Sequence, residues 1–388
     1  MNDLKVVLIT RRFWPLVGGA EMFMMNLADA FCQRGLDVTI LTAAWDSNWP
    51  LRVVFRDIPV VRIPQPRGRG WGTFRYMMGL QRWLRERERA DLVYVSMLKH
   101  DAHAAVTALR GTRIPVVLRA EGGGATGDCT WQQSARFGLR IRRRCQQSAA
   151  VIAPSQPIRD ELLAAAYDAR RVHVIANGTR NRSATTVTDR RDARLALAAA
   201  NAEMMVSDRS PVVAYTGRLH EGKGLLDLIH AWPKVLARWP RARLWLIGDG
   251  PQRDVLWRHI CDMDLRGTVL MPGLFDTIED ILHAADLFVL PSYEEGMSLS
   301  LLEAMQAGLP VVATDIPGNR AILNDQTGRL VPPHTPAALS RAMLELLENR
   351  EQASLLGLHA RQFVHAHYSL EQVVDRHLEL FTALVGRS

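Results

Sequence analysis

The feature that most restricts the fold of this chain is an alternation of short apolar runs with helical segments, which occurs in two successive series. Most runs are continuously apolar and four to six residues long, which is typical of parallel strands covered on both faces. We therefore predict an α/β protein that contains two doubly wound, Rossmann-like domains. The runs of the first series are 5–10, 37–42, 92–96, 115–118, 150–153 and 172–175, and those of the second are 211–215, 243–248, 268–271, 287–290 and 310–314.

The length of 388 residues also favours two domains over a single core. We predict a first domain at 1–182, a polar or Ala-rich linker with one helix at 183–210, and a second domain at 211–369. Ligands of doubly wound sheets bind beyond the carboxyl ends of the strands. We therefore expect the functional site in a cleft between the two domains.

The charge of the chain is unevenly distributed. Residues 1–178 contain 26 Lys and Arg against 15 Asp and Glu, whereas residues 179–388 contain 22 against 25. Such a basic half attracts anionic lipid, an anionic substrate or nucleic acid, but a solvated surface is equally compatible, since 44 of the 48 cations are arginines. Five arginines form the densest group, at Arg136, Arg140, Arg142, Arg143 and Arg144.

Three patterns that are missing from the sequence indicate the cellular compartment of the protein. The four cysteines lack metal-binding spacing, no apolar stretch reaches eighteen residues, and the first residues lack the pattern of a signal peptide. These features predict a cytoplasmic protein with free thiols.

The strongest local signal is the segment 291–314, which reads PSYEEGMSLSLLEAMQAGLPVVAT. A strand ends at Pro291, a polar turn follows, and we predict a helix over about 298–307. The N–H groups and positive dipole at the start of that helix form an anion site at the end of a strand. Gly296 lets a ligand approach the backbone closely.

Two acids flank the start of this predicted helix. Glu295 precedes it, and Glu303 lies one to two turns inside it. A structural explanation stays open for each: Glu295 fits a solvated loop residue, and Glu303 fits a capping box with Ser300.

A second signal, AYTGRLHEGKGLLDLI, occupies residues 214–229. A strand ends at Thr216, and a turn leads into a helix that starts near Gly224. Arg218 and Lys223 lie at the two ends of the turn, and Lys223 is one of only four lysines in the chain. An Arg–Lys pair beside a helix start suits a diphosphate, although a basic surface turn is the simpler alternative.

A third and weaker signal is WPLVGGAE at residues 14–21. Gly18 and Gly19 precede a helix after the first strand, as in turns that bind phosphate. The glycines do not fit G-x-G-x-x-G, so the pattern gives little support to a dinucleotide site.

Together these motifs resemble the GT-B glycosyltransferases, specifically family 4, the retaining nucleotide-sugar transferases of group 1. The resemblance covers nearly the whole chain, and its most specific element is the E-x7-E pattern of Glu295 and Glu303. Further matches, in the family's order, are Asn177-Gly178, GRLHEGKG at 217–224, GDGP at 248–251, ADLFVLPS at 285–292, the Gly308-Leu-Pro-Val-Val run and TGRLVP at 327–332.

The resemblance implies a role for each matching residue of the second domain. Arg218 and Lys223 would hold the donor diphosphate, Glu295 would bind hydroxyls of the donor sugar, and Glu303 would bind the ribose. The distal phosphate or the sugar would lie on four backbone amides, those of Gly296, Met297, Ser298 and Leu299.

In the first domain the resemblance implies that the backbone at Gly18 and Gly19 approaches the donor phosphates. It also implies that the last segment, 370–388, forms a helix that crosses back to the first domain. The pattern departs from the family at Glu121, where many relatives carry a His close to the reacting sugar, and at Ala321, where the family often has a Glu. We predict Arg119 and Glu121 as contacts of the sugar or the acceptor.

The implied reaction transfers a sugar, with retention, from a nucleotide-diphosphate donor to a glycan or lipid-linked acceptor. Fixed cations and helix N–H groups stabilise the charge that grows on the leaving diphosphate, so such a site can work without a metal. UDP- and GDP-sugars are the expected donors, and no cofactor, metal or nucleic-acid partner is predicted. The DxD-like pair Asp262 and Asp264 is interpreted as solvated loop acids.

Other functions on the same fold stay open. The site could serve a sugar-nucleotide epimerase, or a non-catalytic protein that binds nucleotide sugar or a polyanion. A glycosidase pair of Glu295 and Glu303 is a weaker alternative, because a glycosidase needs no diphosphate site. We also expect the arginines at 136–144 to contact anionic lipid at the inner face of the membrane.

Overall fold

The computed structural model describes residues 4–16, 18–66, 71–86, 90–181 and 185–386. The chain forms two compact units. The first unit comprises Met1–Gly178 together with Leu370–Ser388, and the second comprises Thr179–Ser369.

The first unit is built on an eight-stranded sheet with the order β3-β4-β2-β1-β5-β6-β7-β8. All neighbouring strands are parallel except β3, which runs antiparallel to β4. The strand order reverses beside β1, so that β1 and β5 flank the switch point of this sheet. The strands are β1 (Lys5–Ile9), β2 (Asp37–Ala44), β3 (Arg52–Phe55), β4 (Ile58–Pro64), β5 (Leu92–Ser96), β6 (Val116–Arg119), β7 (Ala150–Ala153) and β8 (Val172–Val174).

Helices cover both faces of this sheet. Buried side chains of α2, α3, α5 and α6 form one continuous core with the strands, whereas α1 and α15 pack on each other. Right-handed crossovers place α1 on the opposite face. The helices of the first unit are α1 (Gly19–Gln33), α2 (Trp71–Glu86), α3 (His100–Ala108), α4 (Asp128–Ser134), α5 (Gly138–Cys145), α6 (Gln156–Ala164) and α15 (Leu370–Val385), with a short 3-10 helix at Gly124–Thr126.

The C-terminal helix α15 is held in the first unit by a cluster of rings. Phe381 lies edge-on to Phe31 of α1 and to Tyr94 of β5. The ring of His377 also contacts the rings of Phe31 and Tyr94. Because His377 is completely buried, its pKa is lowered to about 3. His377 is therefore neutral in this core.

The second unit contains a six-stranded, all-parallel sheet with the order β11-β10-β9-β12-β13-β14. Its strand order reverses beside β9, so β9 and β12 flank the switch point. The strands are β9 (Val212–Thr216), β10 (Arg243–Ile247), β11 (Val269–Gly273), β12 (Leu287–Leu290), β13 (Val311–Thr314) and β14 (Arg329–Val331). The helices are α7 (Val187–Ala200), α8 (Leu225–Arg238), α9 (Arg253–Asp262), α10 (Glu279–Ala284), α11 (Leu299–Gln306), α12 (Pro317–Arg320), α13 (Pro336–Glu348) and α14 (Arg350–His367), with 3-10 helices at Ala202–Met204 and Glu221–Lys223.

The predicted fold class is confirmed, since both sheets are doubly wound and the predicted runs form strands. Three strands were not predicted from the sequence. β3 and β4 form a hairpin in which arginine and proline interrupt the apolar residues, and β14 is only three residues long. None of the three has the long apolar run by which the other strands were found.

Within the described residues, no helix is both long enough and apolar enough to cross a bilayer.

Candidate active site

The two strongest sequence motifs meet at the switch point of the second unit. β9 and β12 are parallel neighbours, with Val213 opposite Leu287 and Ala214 opposite Phe288. Their carboxyl ends therefore reach the same edge of the sheet. The turn 217–224 follows β9 there, and the turn 291–298 follows β12. This edge is where ligands of doubly wound sheets bind.

The turn after β9 ends at a glycine that the structure requires. Gly224 adopts a left-handed conformation, with φ of 62°, and starts α8. A Cβ atom at Gly224 would lie 2.0 Å from the carbonyl oxygen of Pro291, so only glycine allows this approach. The N–H of Tyr293 donates to the carbonyl oxygen of Gly222 at 2.8 Å. The two turns therefore pack backbone against backbone.

An ion pair joins the side chains of the two turns. The Nζ of Lys223 lies 2.7 Å from Oε1 of Glu295, and the hydroxyl of Ser292 donates to the same oxygen at 2.6 Å. The side chain of Glu295 is 8% exposed and that of Lys223 is 27% exposed. Charge-assisted hydrogen bonds of this length fix both side chains in place. The sequence motifs imply contacts with different parts of a ligand for Lys223 and Glu295, and they do not indicate that the two side chains pair.

Arg218 is positioned through its backbone. The buried hydroxyl of Tyr215 donates to the carbonyl oxygen of Arg218 at 3.0 Å. Burial, together with the nearby charge of Glu295, raises the pKa of Tyr215 well above its ordinary value, so this hydroxyl keeps its proton. The side chain of Arg218 is exposed. The residue thus combines a fixed backbone with an accessible guanidinium.

The helix α11 begins at Leu299, and Ser298 caps it. The hydroxyl of Ser298 accepts a hydrogen bond from the N–H of Leu301 at 3.3 Å. The alternative interpretation of Ser300 and Glu303 as a capping box is therefore wrong, because the cap lies two residues earlier. The four residues 296–299 are buried, and Glu303 is half-buried in the first turns of the helix.

The segment that follows β13 supports the backbone of Glu295, and the sequence analysis did not predict this contact. A Cβ atom at Gly318, in the helix α12 after β13, would lie 2.2 Å from the carbonyl oxygen of Glu295. The backbone of Glu295 is therefore packed directly on α12. The Pro317-Gly318 pair after a strand could have signalled such a close approach.

Gly18 and Gly19 lie at the start of α1, the first as its N-cap and the second as its first residue. A Cβ atom at Gly18 would lie 2.5 Å from Oε2 of Glu21, whereas one at Gly19 would meet no atom within 4 Å. Packing among the described residues therefore does not explain the glycine at position 19.

Arg119 ends β6 and is completely buried in the first unit. Its guanidinium donates to the carbonyl oxygen of Ile175 at 3.2 Å and to Oδ1 of Asn177 at 2.6 Å. The same group lies 4.3 Å from the centre of the Phe23 ring. These contacts fix Arg119 within the core, where its Nε lies 3.3 Å from Oε1 of Glu121.

Glu121 lies just beyond the carboxyl end of β6. The hydroxyl of Ser96, at the end of the neighbouring β5, donates to Oε1 of Glu121 at 2.9 Å. Burial raises the pKa of Glu121 to about 7, against the opposing effects of Arg119 and the Ser96 hydrogen bond, and the charges of Asp128 and Glu21 raise it further. Glu121 therefore changes its charge near neutral pH.

Comparison with known proteins identifies the family. Residues 17–180 match the family described as Glycosyltransferase Family 4, and residues 210–349 match the family described as Glycosyl transferases group 1. This chain is a group 1, family 4 glycosyltransferase. The resemblance stated from its motifs is thereby confirmed, and so is its assignment as a transferase.

Individual relatives of this glycosyltransferase are distant. N-acetyl-alpha-D-glucosaminyl L-malate synthase of Bacillus anthracis is 23% identical, over 95% of this chain and 94% of the relative. Among solved structures, sucrose-phosphate synthase from Thermosynechococcus elongatus superposes with a TM-score of 0.82 at 21% identity, over 99% of this chain and 100% of that one. The Anabaena protein HepE superposes with a TM-score of 0.80 at 21% identity, over 98% and 100%. These structures show that the glycosyltransferase has the GT-B fold.

The packing of α12 on Glu295 predicts the effect of a single methyl group. Gly318→Ala should lower the free energy of unfolding of the second unit by about 1–3 kcal/mol, because the new Cβ overlaps a backbone oxygen that cannot move freely. Gly267→Ala is the matched control, since a Cβ there meets no atom within 4 Å, and it should change stability by less than about 0.5 kcal/mol. Urea unfolding of both variants measures the difference, and equal stabilities would contradict the packing described.

The raised pKa of Glu121 predicts a dependence of stability on pH. Between about pH 5 and about pH 7 the unfolded chain releases this proton while the folded chain keeps it, so the wild type should lose stability as pH rises. Relative to Glu121→Gln, the loss should reach about 3 kcal/mol by about pH 8. Urea unfolding of both proteins across this range measures it. A difference that is constant with pH, or that favours the wild type at high pH, would show that Arg119 keeps Glu121 ionised.

Proposed function

We propose that this glycosyltransferase moves a sugar from a nucleoside diphosphate donor to a glycan or lipid-linked acceptor, with retention and without a metal. The observation that carries the proposal is the arrangement at the switch point of the second unit. There Arg218, Lys223 and the start of α11 follow neighbouring strands. The fold shared with the Anabaena protein HepE, which was solved with UDP and glucose, supports a nucleotide-sugar donor.

Lys223 is suited to bind the diphosphate while it holds Glu295. An ammonium group has three N–H donors, and the pair with Glu295 uses one of them. The other two can reach phosphate oxygens. Arg218, whose side chain is exposed at the far end of the same turn, adds a planar group that binds phosphate through two parallel hydrogen bonds.

The start of α11 supplies the second half of the diphosphate site. Its first N–H groups carry the positive end of the helix dipole, and they lie beyond the carboxyl end of β12. In our proposal the backbone from Gly296 to Leu299 binds the distal phosphate, Glu303 binds the ribose, and Glu295 binds hydroxyls of the donor sugar. Glu295 suits this role because its Oε1 accepts hydrogen bonds from Lys223 and Ser292. Its second oxygen, Oε2, can then accept hydrogen bonds from the sugar.

The chemistry follows from the charge that develops as the anomeric C–O bond breaks. The leaving diphosphate gains negative charge, and the sugar becomes cationic. Groups that are already in place stabilise that charge in the transition state without the cost of reorganisation. We propose that the acceptor hydroxyl attacks on the face that the diphosphate leaves, and that a phosphate oxygen takes its proton. The anomeric configuration of the product, read by NMR, tests retention.

We place the acceptor on the first unit. The start of α1 follows β1, which flanks the switch point of that sheet. Glu121 follows β6, which is the next strand after β5. Oε1 of Glu121 is bound to Ser96, so a protonated Glu121 can donate from Oε2 and an ionised one can accept. The open space over Gly19 permits a phosphate or sugar to approach the backbone there.

The proposal predicts that Lys223→Ala lowers the rate of transfer, or of donor hydrolysis, by about 100-fold or more, as the loss of one fixed donor to a developing charge does. Lys234→Ala is the matched control, because Lys234 is an exposed lysine on α8 of the same unit. Steady-state rates with a panel of UDP- and GDP-sugars measure the effect, and circular dichroism checks the fold. A folded Lys223→Ala protein with control-level rates would refute the diphosphate site.

A further inference from the structure

Helix α2 of the first unit exposes an apolar face to solvent. Trp71, Phe74 and Met78 are between 54% and 71% exposed, and their spacing of three and four residues puts them on one side of the helix. The opposite side carries Tyr76 and two leucines, which are buried in the core. Exposed aromatic residues in such a group mark a contact surface rather than scattered surface residues.

The short helix α5 repeats this pattern. Phe137, which caps the helix, and Leu139 in its first turn are 59% and 56% exposed. Ile141 and Cys145 on the other side are buried. The two exposed apolar residues alternate with exposed arginines, which are Arg136, Arg140 and Arg143.

The two apolar faces belong to one layer of the fold. Helix α3 packs on α2 on one side and on α5 on the other, and all three share the core on the same face of the sheet. α2 follows the carboxyl end of β4, and α5 ends shortly before β7 begins. The first turns of both helices therefore point towards the carboxyl edge of the sheet, the edge at which Glu121 lies.

The charges of this layer are almost entirely positive. Among the described residues of α2, α3 and α5, the acidic side chains are Glu86, which pairs with Arg82, and Asp101, which is buried beside Arg11. The exposed basic side chains on α2 and around α5 are Arg75, Arg82, Arg85, Arg136, Arg140 and Arg143, whereas Arg142 and Arg144 of α5 are half-buried.

We propose that this layer, which we call the α2/α5 face, docks on an anionic lipid bilayer and inserts Trp71, Phe74, Met78, Phe137 and Leu139 among the lipid headgroups. Exposed aromatic and aliphatic side chains combined with arginines are typical of a protein surface that lies in the membrane interface. Arginines near an anionic leaflet each add favourable energy. A soluble polyanion would bind the arginines but would leave the five apolar side chains in water, so the bilayer explains both features.

Membrane docking of the α2/α5 face depends on the proposed function only for its consequence, which is access to a lipid-linked acceptor. With the α2/α5 face on the membrane, the carboxyl edge of the first sheet lies at the headgroup level, where the sugar of a lipid-linked acceptor is presented. Binding to vesicles needs neither donor nor acceptor. The two proposals can therefore fail independently, because the Lys223→Ala experiment uses no membrane and the vesicle experiment uses no sugar.

The test is flotation of the full chain with vesicles of phosphatidylcholine, with and without phosphatidylglycerol. The wild type should bind the anionic vesicles and not the neutral ones. Phe137→Ser with Leu139→Ser, and Trp71→Ser with Phe74→Ser, should each weaken binding about tenfold or more through lost apolar burial. Arg136→Gln, Arg140→Gln and Arg143→Gln together should weaken it about 100-fold.

Matched controls come from the second unit. Val187→Ser with Leu195→Ser removes two exposed apolar residues of α7, and Arg241→Gln, Arg341→Gln and Arg350→Gln remove three exposed arginines. Both control sets should bind vesicles like the wild type. Circular dichroism and urea unfolding of all variants show that each has folded.

Quenching of tryptophan fluorescence by brominated lipid separates insertion from adsorption. The wild type should show a quenched component that Trp71→Ser loses. If the serine variants float like the wild type, or if the quenched component is absent, the protein only adsorbs electrostatically. Either result would contradict the proposed insertion of apolar side chains. Binding to heparin without binding to anionic vesicles would identify a polyanion site instead, and would overturn the proposal altogether.

Discussion

The ion pair between Lys223 and Glu295 is the interaction on which the candidate site of this glycosyltransferase depends. It joins the turns that follow β9 and β12, the two strands at the switch point of the second sheet. The carboxylate also accepts from Ser292, and its backbone rests on Gly318. A cation and a carboxylate are thus both held beside a helix N-terminus, the combination that we propose for a phosphate and a sugar hydroxyl.

Close backbone contacts give this arrangement its rigidity. Gly224 lies against Pro291, and Gly318 lies against Glu295, at distances that leave no space for a Cβ atom. A site held by backbone packing does not have to reorganise when charge develops on a leaving group, which is the main source of electrostatic catalysis. The first unit holds Glu121 differently, through a buried Arg119 and the hydroxyl of Ser96. Burial of this carboxyl raises its pKa to about 7, so its charge depends on pH near neutrality.

The fold class and most strands could be predicted from the sequence, because parallel strands leave long apolar runs and helix ends leave glycines. The hairpin of β3 and β4 could not, since its charged and proline residues hide the strand pattern. The motifs at 217–224 and 291–299 pointed to one edge of the sheet. Their pairing through Lys223 and Glu295, and the support from Gly318, depend on strand order and packing, which local sequence does not encode.

The most direct test of the central claim is a crystal structure of the glycosyltransferase with UDP or GDP. We expect the diphosphate within hydrogen-bond distance of the side chains of Arg218 and Lys223 and of the first N–H groups of α11. A nucleotide bound elsewhere, or one whose diphosphate points away from these three groups, would contradict the claim.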